Sequence, residues 1–335
     1  MGNFGDKKGE LVVYYKVLNE ADFIQESIAS IYDVADRIVI LEYCLDSMRK
    51  IIRKDRVTEH GLSTDGTTEI IKSFPDPDHK IDHRPVGFIE GDESIPYQMV
   101  VDLAQVGEYI WVMDGDIVYP KAFTTKIGEW VRSQEYDVIW IPERVFFHDL
   151  WHEQHNFFAH HQRIFRKPHP TAFYFPKCFE VHWIEDEPGV SSKGLRYYGR
   201  DSINIFPGEV MKEYPSLVCH PEKDGFAYHY ALVKSNQRML EKLLWQYEMI
   251  ERRWNNPDER ATCRKFGKNA LEFKLNTHVW FLAHQPDFSM VVRRWGGVHP
   301  DIMTRNKWFD YYWDEKPVKL TYDEARKLVG SPGEC

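Results

Sequence analysis

Gly107-Glu108-Tyr109-Ile110-Trp111-Val112-Met113-Asp114-Gly115-Asp116 is the stretch whose reading decides the fold. Five apolar residues in a row are too short for a core helix but fit a strand buried on both faces. The run stops at two carboxylates with a glycine between them. A turn alone does not require a carboxylate pair at the carboxyl end of a buried strand. Two acids one residue apart can face one hard cation while the backbone folds tightly between them, and such a pair suits Mg²⁺ or Mn²⁺ bridging a diphosphate. The plainer alternative is a turn with solvated carboxylates, since Asp-Gly pairs are common in turns.

Upstream, strand and helix patterns alternate. Residues 11–16 form an apolar run rich in Val and Tyr. Asn19-Glu20-Ala21-Asp22 then opens a helical pattern with Phe23, Ile24, Ile28 and Ile31 on one side, Asn19 as N-cap and Asp22 reaching back. Residues 37–42 read as a second strand. Ser63-Thr64-Asp65-Gly66-Thr67 leads into a helix carrying Ile70, Ile71 and Phe74, and residues 97–106 read as another helix before the decisive strand. Residues 137–141 make a further strand. Strands separated by helices imply a mostly parallel sheet whose ligands bind outside the carboxyl ends of the strands, which singles out Asn19, Glu20, Glu42, Asp114 and Asp116. Residues 236–254 carry an apolar stripe at helical spacing with charges opposite, the pattern of a helix packed on a core.

Three blocks, Val13-Tyr14-Tyr15-Lys16-Val17-Leu18-Asn19-Glu20, Ser63-Thr64-Asp65-Gly66-Thr67 and Gly107 to Asp116, stand in the order in which they occur in the family 2 glycosyltransferases of GT-A fold, and the first 120 residues resemble that family. The resemblance implies a GT-A-like α/β fold, a nucleotide-binding, mostly parallel sheet flanked by helices. It also implies transfer of a sugar from a nucleotide-sugar, UDP-linked first of all, with inversion. By position, Tyr15, Asn19 and Glu20 would contact the nucleotide, Glu42 stands where the family often has an Asp that recognises the base, and Asp65 continues the same pocket. Asp114 and Asp116 match the metal and diphosphate motif, with Mn²⁺ or Mg²⁺ held most directly by Asp116. Phe226-Ala227-Tyr228-His229-Tyr230 is similar to a block whose His, here His229, completes metal or diphosphate contacts.

The chain also departs from the family. About twenty residues between Glu42 and Ser63 are inserted, with Arg49, Lys50, Arg53, Lys54 and Arg56 clustered there. Tyr97-Gln98 stands where an Arg-Asn pair is often found. The catalytic base has no clear marker; the nearest acids lie in Trp183-Ile184-Glu185-Asp186-Glu187, so Asp186 or Glu185 is expected to take the acceptor proton, with like-charge repulsion able to raise one of their pKa values. An exposed acidic turn before Pro188-Gly189 explains the same residues equally well.

Other function classes fit the residues less well. His148, His152, His155, His160 and His161 suggest a metal-dependent hydrolase, but His152-Glu153-Gln154-His155 spaces its histidines at i, i+3 where the helical zinc motif needs i, i+4; a helix lining an acceptor site, or a packing surface, explains them better. Neither G-x-G-x-x-G nor a P-loop is present. A non-catalytic nucleotide-sugar-binding protein is the remaining alternative, because motifs alone do not make turnover.

Composition bounds the rest. The 335 residues, 43% hydrophobic and 28% charged, exclude a disordered or fibrous chain. A net charge of −9 argues against a surface that grips nucleic acid throughout, although the acid excess lies in residues 1–230 and the remainder is mildly basic. Aromatic content of 15% supplies packing and a few flat faces suited to sugar rings or bases. The five cysteines lack any C-x-x-C pairing and read as free thiols. With no apolar run long enough to span a bilayer and no signal-peptide core, a cytoplasmic protein without a transmembrane segment is expected. The expected layout is a catalytic domain over 1–230, with its donor part in 1–120 and acceptor part in 121–230, and a helical, aromatic-rich C-terminal region over 231–335. The acceptor is left open among a glycan, a lipid-linked sugar, a metabolite, a protein or a modified nucleic acid base.

Overall fold

Strand β1 (Leu11–Val17) is buried along almost its whole length, and its alternation sorts the core. Val13 and Tyr15 face one side of the sheet, where they pack with Ile24, Ile28, Trp111 and Phe123. Val12 and Tyr14 face the other, with Val39, Leu41, Val100 and Val101. A strand buried on both faces needs layers on both faces, which is why this chain forms helices on either side of one sheet.

The computed structural model describes residues 9–49, 52, 54–90, 94–147, 149–155, 159–167, 180–183, 195–198, 216–234, 238, 242 and 291–311. After β1 come α1 (Ile24–Ile31), β2 (Arg37–Leu45), α2 (Asp46–Arg49), α3 (Thr67–Ser73), β3 (Ile81–Ile89), α4 (Ser94–Leu103), β4 (Tyr109–Asp114), β5 (Ile117–Val118) and α5 (Lys121–Ser133). The second half adds β6 (Val138–Phe147), β7 (His152–His155), β8 (Ala159–Arg166), β9 (Glu180–Trp183), β10 (Leu195–Tyr198), β11 (Ser216–Val218), β12 (Ala227–Leu232) and β13 (Val291–Arg294). The order β3-β2-β1-β4 is parallel throughout. Beyond β4 the sheet turns antiparallel through β8 and β6; β12 then runs parallel to β6 and antiparallel to β5. The expected mixed α/β architecture, a mostly parallel sheet flanked by helices, is the one observed.

Register sets the site. Lys16 pairs with Asp114 across β1 and β4, and Val17 with Glu42 across β1 and β2, so the chemically interesting ends of three strands are level.

Several expectations are corrected. Asn19 does not cap α1: the helix begins at Ile24 and its N-cap position, Phe23, makes no side-chain capping bond. The helix expected over 97–106 is α4, which ends at Leu103, and the Lys167 ammonium donates to the carbonyls of Val101 and Ala104 there. The described part of the histidine-rich stretch is extended rather than helical: His152 and His161 lie in β7 and β8. Of the proposed helix over 236–254, Arg238 and Lys242 are described and both are helical; its remaining residues lie outside the described ones. Further on, among the described residues 291–311, β13 pairs with β7 and a 3₁₀ turn covers Asp301–Arg305. This segment packs Trp295, Met303 and Phe309 with Phe23, Phe146, Tyr228 and Tyr230 in an aromatic cluster. Among the described residues no helix is long and apolar enough to cross a membrane, and Cys44 and Cys219 are buried thiols outside any disulfide.

Candidate functional site

The Ser63–Thr67 block closes off the end of β1, and its spacing follows from that task. Three consecutive backbone N–H groups, of Asn19, Glu20 and Ala21, donate to Ser63 Oγ (3.0 Å), Thr67 Oγ1 (2.7 Å) and Asp65 Oδ2 (3.2 Å). Such donors just past a strand would otherwise be orphaned. Asn19 returns the contact by accepting from the Thr64 N–H at 3.1 Å and donating to the Arg56 carbonyl at 2.7 Å. It does so from a left-handed backbone, φ 57°, which Asn tolerates better than most residues. Asp65 Oδ1 also accepts from the Thr67 N–H, and Gly66 at φ 97° makes the turn between them. The insertion after Glu42 therefore folds back to support this loop through Arg56.

Glu42 lies beneath it, 0% exposed. Its carboxylate accepts from the Ser63 N–H (2.8 Å), the Thr68 hydroxyl (2.8 and 3.0 Å) and His83 Nε2 (2.9 Å). Burial alone would raise its pKa; these hydrogen bonds outweigh it and bring it down to about 2. Glu42 thus anchors the loop rather than offering an oxygen outward. Tyr15 is likewise a core residue, its hydroxyl on Ser27 Oγ at 3.1 Å and its ring packed toward α1.

Around Asp114 and Asp116 the structure gathers the charges. Asp114, 32% exposed, faces Lys16 through Oδ1 (3.3 Å) and Arg163 through Oδ2 (3.0 Å). Asp116, 2% exposed, faces His229 through Oδ1 (3.4 Å), and Lys234 (3.3 Å) and Lys242 (3.5 Å) through Oδ2. Lys234 also pairs with Glu20 Oε2 at 2.9 Å. A fourth acid, Glu143 of β6, is fully buried between Arg163 and His229, whose Nδ1 lies 3.0 Å from Oε2. The bond from the Tyr230 N–H to the Asp116 carbonyl, 2.8 Å, fixes β12 beside the acids and so brings His229 in. Gly115 is required by space: a β-carbon there would lie 2.8 Å from Cβ and Cγ of Glu20.

Burial opposes ionisation of each acid, yet Lys16 and Arg163 hold Asp114, and Lys242, Lys234 and His229 hold Asp116, below the usual carboxylate range. Glu143 is held down in the same way by Arg163 and by His161 and His229. Glu20 goes the other way, because burial outweighs the Lys234 charge. His229 would be lowered by burial, but Asp116 and Glu143 push it up to about 9, so it is protonated at neutral pH.

Asp114, Asp116, Glu20 and His229 are therefore brought together, with Asn19 and Asp65 in the adjoining loop. Glu185 and Asp186 lie outside the described residues, as do the side chains of His148, His155 and His160. Among the described residues, no group of three or more His, Cys, Asp or Glu side chains forms a set that could hold a metal ion. The expected trio does not fit Mn²⁺ or Mg²⁺ as arranged, because all four oxygens of the two aspartates already face protein cations. An ion would have to part Asp116 from a lysine that is 4% exposed, and breaking a buried pair costs about 3–5 kcal/mol. The histidine cluster gives no second centre among the described residues: His152 is tied to Asp149 (2.8 Å), and His161 stands 3.7 Å from Glu143.

Sequence reasoning missed Lys16, Glu143, Arg163, Lys234 and Lys242. The usable signal was a charged residue inside an apolar strand, as in Val138-Ile139-Trp140-Ile141-Pro142-Glu143, since a charge at such a position is seldom buried unless paired.

No protein-family model and no curated protein matches this chain. Among solved structures, the crystal structure of S. aureus TarS 1-349 aligns with 82% of this chain and 72% of that one at 12% identity, with a TM-score of 0.33. The same TarS segment in complex with UDP-GlcNAc aligns at 13% identity over 81% and 73% of the two chains, TM-score 0.34. Its complex with UDP aligns at 14% over 80% and 71%, TM-score 0.31. At that distance the likeness decides nothing about activity, which is read from this chain's own residues.

Proposed function

We propose that the protein transfers a sugar from a nucleotide-sugar donor, UDP-linked, to an acceptor hydroxyl with inversion at the anomeric carbon. One observation carries the reading: Glu20, Asp114 and Asp116, from two separate sequence blocks, meet in one charged cluster at the carboxyl end of a parallel sheet, next to the loop built by the third block. That is where α/β sheets bind ligands, and the blocks are those on which the resemblance to family 2 glycosyltransferases stands. The choice of UDP and of inversion follows from that resemblance, as does the proposal that Asp186 or Glu185 takes the acceptor proton.

The test is a thermal-shift screen of UDP-, GDP- and dTDP-sugars, followed by measurement of nucleoside diphosphate release from the donor that stabilises most. Stabilisation by a UDP-sugar with release of UDP supports a transferase. Stabilisation without release, across all acceptor classes tried, points to a binding protein, and no stabilisation by any donor overturns the reading.

A further inference from the structure

Resting on that reading, we infer that the positive charge which holds and releases the nucleoside diphosphate comes from the protein's own cations, Lys242 foremost with Lys234 and Arg163, and that the site needs no divalent ion.

The carboxylate oxygens point at basic side chains of the same protein. Four acids, Glu20, Asp114, Asp116 and Glu143, are matched by four permanent cations, Lys16, Arg163, Lys234 and Lys242, with His229 as a fifth basic group between Asp116 and Glu143. Neither aspartate has an oxygen facing only water. The cations also sit at graded depth. Lys234 and Arg163 are buried, whereas Lys242 is 27% exposed and Asp114 is 32% exposed, so these two mark the open side of the cluster. Lys242 is the most exposed of the four cations, the others being 4–11% exposed. Arg238 and Lys242 are both in helical backbone and both reach acids at the strand ends. Arg238 binds Asp22 and lies 3.4 Å from Asp65, which ties it to the Ser63–Thr67 loop. Lys16 rests over the ring of Tyr97, 3.8 Å from its centroid, so that its charge is held beside Asp114.

The chemistry asks for such groups. The acceptor oxygen forms a bond to the anomeric carbon as the bond from that carbon to the β-phosphate oxygen breaks. The electron pair leaves with the nucleoside diphosphate, whose negative charge rises by one, and the acceptor proton passes to a carboxylate base. Cations already held in place at these strand ends stabilise such a departing charge with little reorganisation.

The experiment is calorimetric titration of the full chain with UDP, in chelator and in Mn²⁺ or Mg²⁺, for the natural protein, Lys242→Met and Lys242→Arg. UDP is expected to bind in chelator with an affinity within about threefold of that with either ion; Lys242→Met should weaken it about tenfold or more, and Lys242→Arg should keep most of it. Unfolding curves of both variants establish that the fold is retained. UDP binding that appears only with a divalent ion, or that Lys242→Met leaves unchanged, overturns the inference while leaving nucleotide-sugar transfer in place. Binding of neither UDP nor GDP under any condition removes the underlying reading as well.

Discussion

Gly115 and Glu20 are in direct steric register: the strand that ends in Asp114 can turn toward Asp116 only because nothing projects from residue 115 into Cβ and Cγ of Glu20. Both atoms belong to the first part of a side chain whose far end is pinned by Lys234, so Glu20 cannot swing aside freely. Gly115→Ala is expected to lower stability by about 1–3 kcal/mol, the usual cost of overpacking, in a urea unfolding curve. Because the displaced groups carry the charged cluster, UDP affinity should fall even where the protein remains folded. Unchanged stability together with unchanged binding would show that the acids are not held as described.

Glu42 supports the neighbouring loop through its charge, and acid should reveal it. Its folded pKa of about 2 lies below the ordinary Glu value, about 4.3 in an unfolded chain. The stabilisation is therefore fully present above pH ~4.3 and is lost as pH falls toward ~2. Glu42→Gln, which keeps the shape but loses the ionised acceptor, should cost about 1–3 kcal/mol at neutral pH. The gap between the two proteins in urea midpoint should narrow at about pH 3. A gap independent of pH would mean that Glu42 acts by shape alone.

What is legible in the sequence, and what is not, divides along physical lines. Runs such as Leu11 to Tyr15 and Tyr109 to Met113 announce buried strands because both faces must be apolar. Strand β3 does not announce itself, because Asp82, His83, Arg84, Pro85 and Gly87 break every strand pattern; it lies at the end of the sheet order, where a proline costs no ladder bond. β8 is hidden by its polar residues, His160, His161, Gln162 and Arg163. Asp114, Asp116 and Glu20 can be named in advance, since motif and strand end coincide. Their later cations cannot: Lys234 and Lys242 come more than a hundred residues downstream, and only the return of β12 to pair with β5 and β6 brings that part of the chain to Asp116.

His299 offers a test of the C-terminal segment's docking. Its Nε2–H donates to the Leu150 carbonyl at 2.6 Å and its Nδ1 meets the Tyr230 hydroxyl at 2.8 Å, so the buried ring is neutral. Burial pushes its pKa down to about 4. Between about 6.5, the unfolded value, and about 4 the unfolded chain binds the extra proton, so stability should fall as pH drops through that window. This lies above the range in which Glu42 acts. His299→Gln should flatten the melting temperature between about pH 6.5 and 4; an unaltered slope would remove His299 as its source.

Glu143 is the acid with the most to lose, being buried among three basic groups, Arg163, His161 and His229, and touching neither solvent nor, in the proposed chemistry, substrate. Removing its charge leaves Arg163 with Asp114 and His229 with Asp116 as acid partners among the described residues, and takes from His161 the carboxylate 3.7 Å away. Glu143→Gln keeps the volume and one acceptor, so the loss should approach the roughly 3–5 kcal/mol of a broken buried pair without exceeding it. The diagnostic readout is His229. In the natural protein its raised pKa of about 9 contributes stability that is complete below about pH 6.5, the unfolded value, and is lost as pH rises toward 9. In the variant the NMR titration of the His229 ring should move downward, and the alkaline fall in stability should begin earlier. If the His229 titration stays in place, Asp116 alone sets it and Glu143 serves only Arg163 and His161.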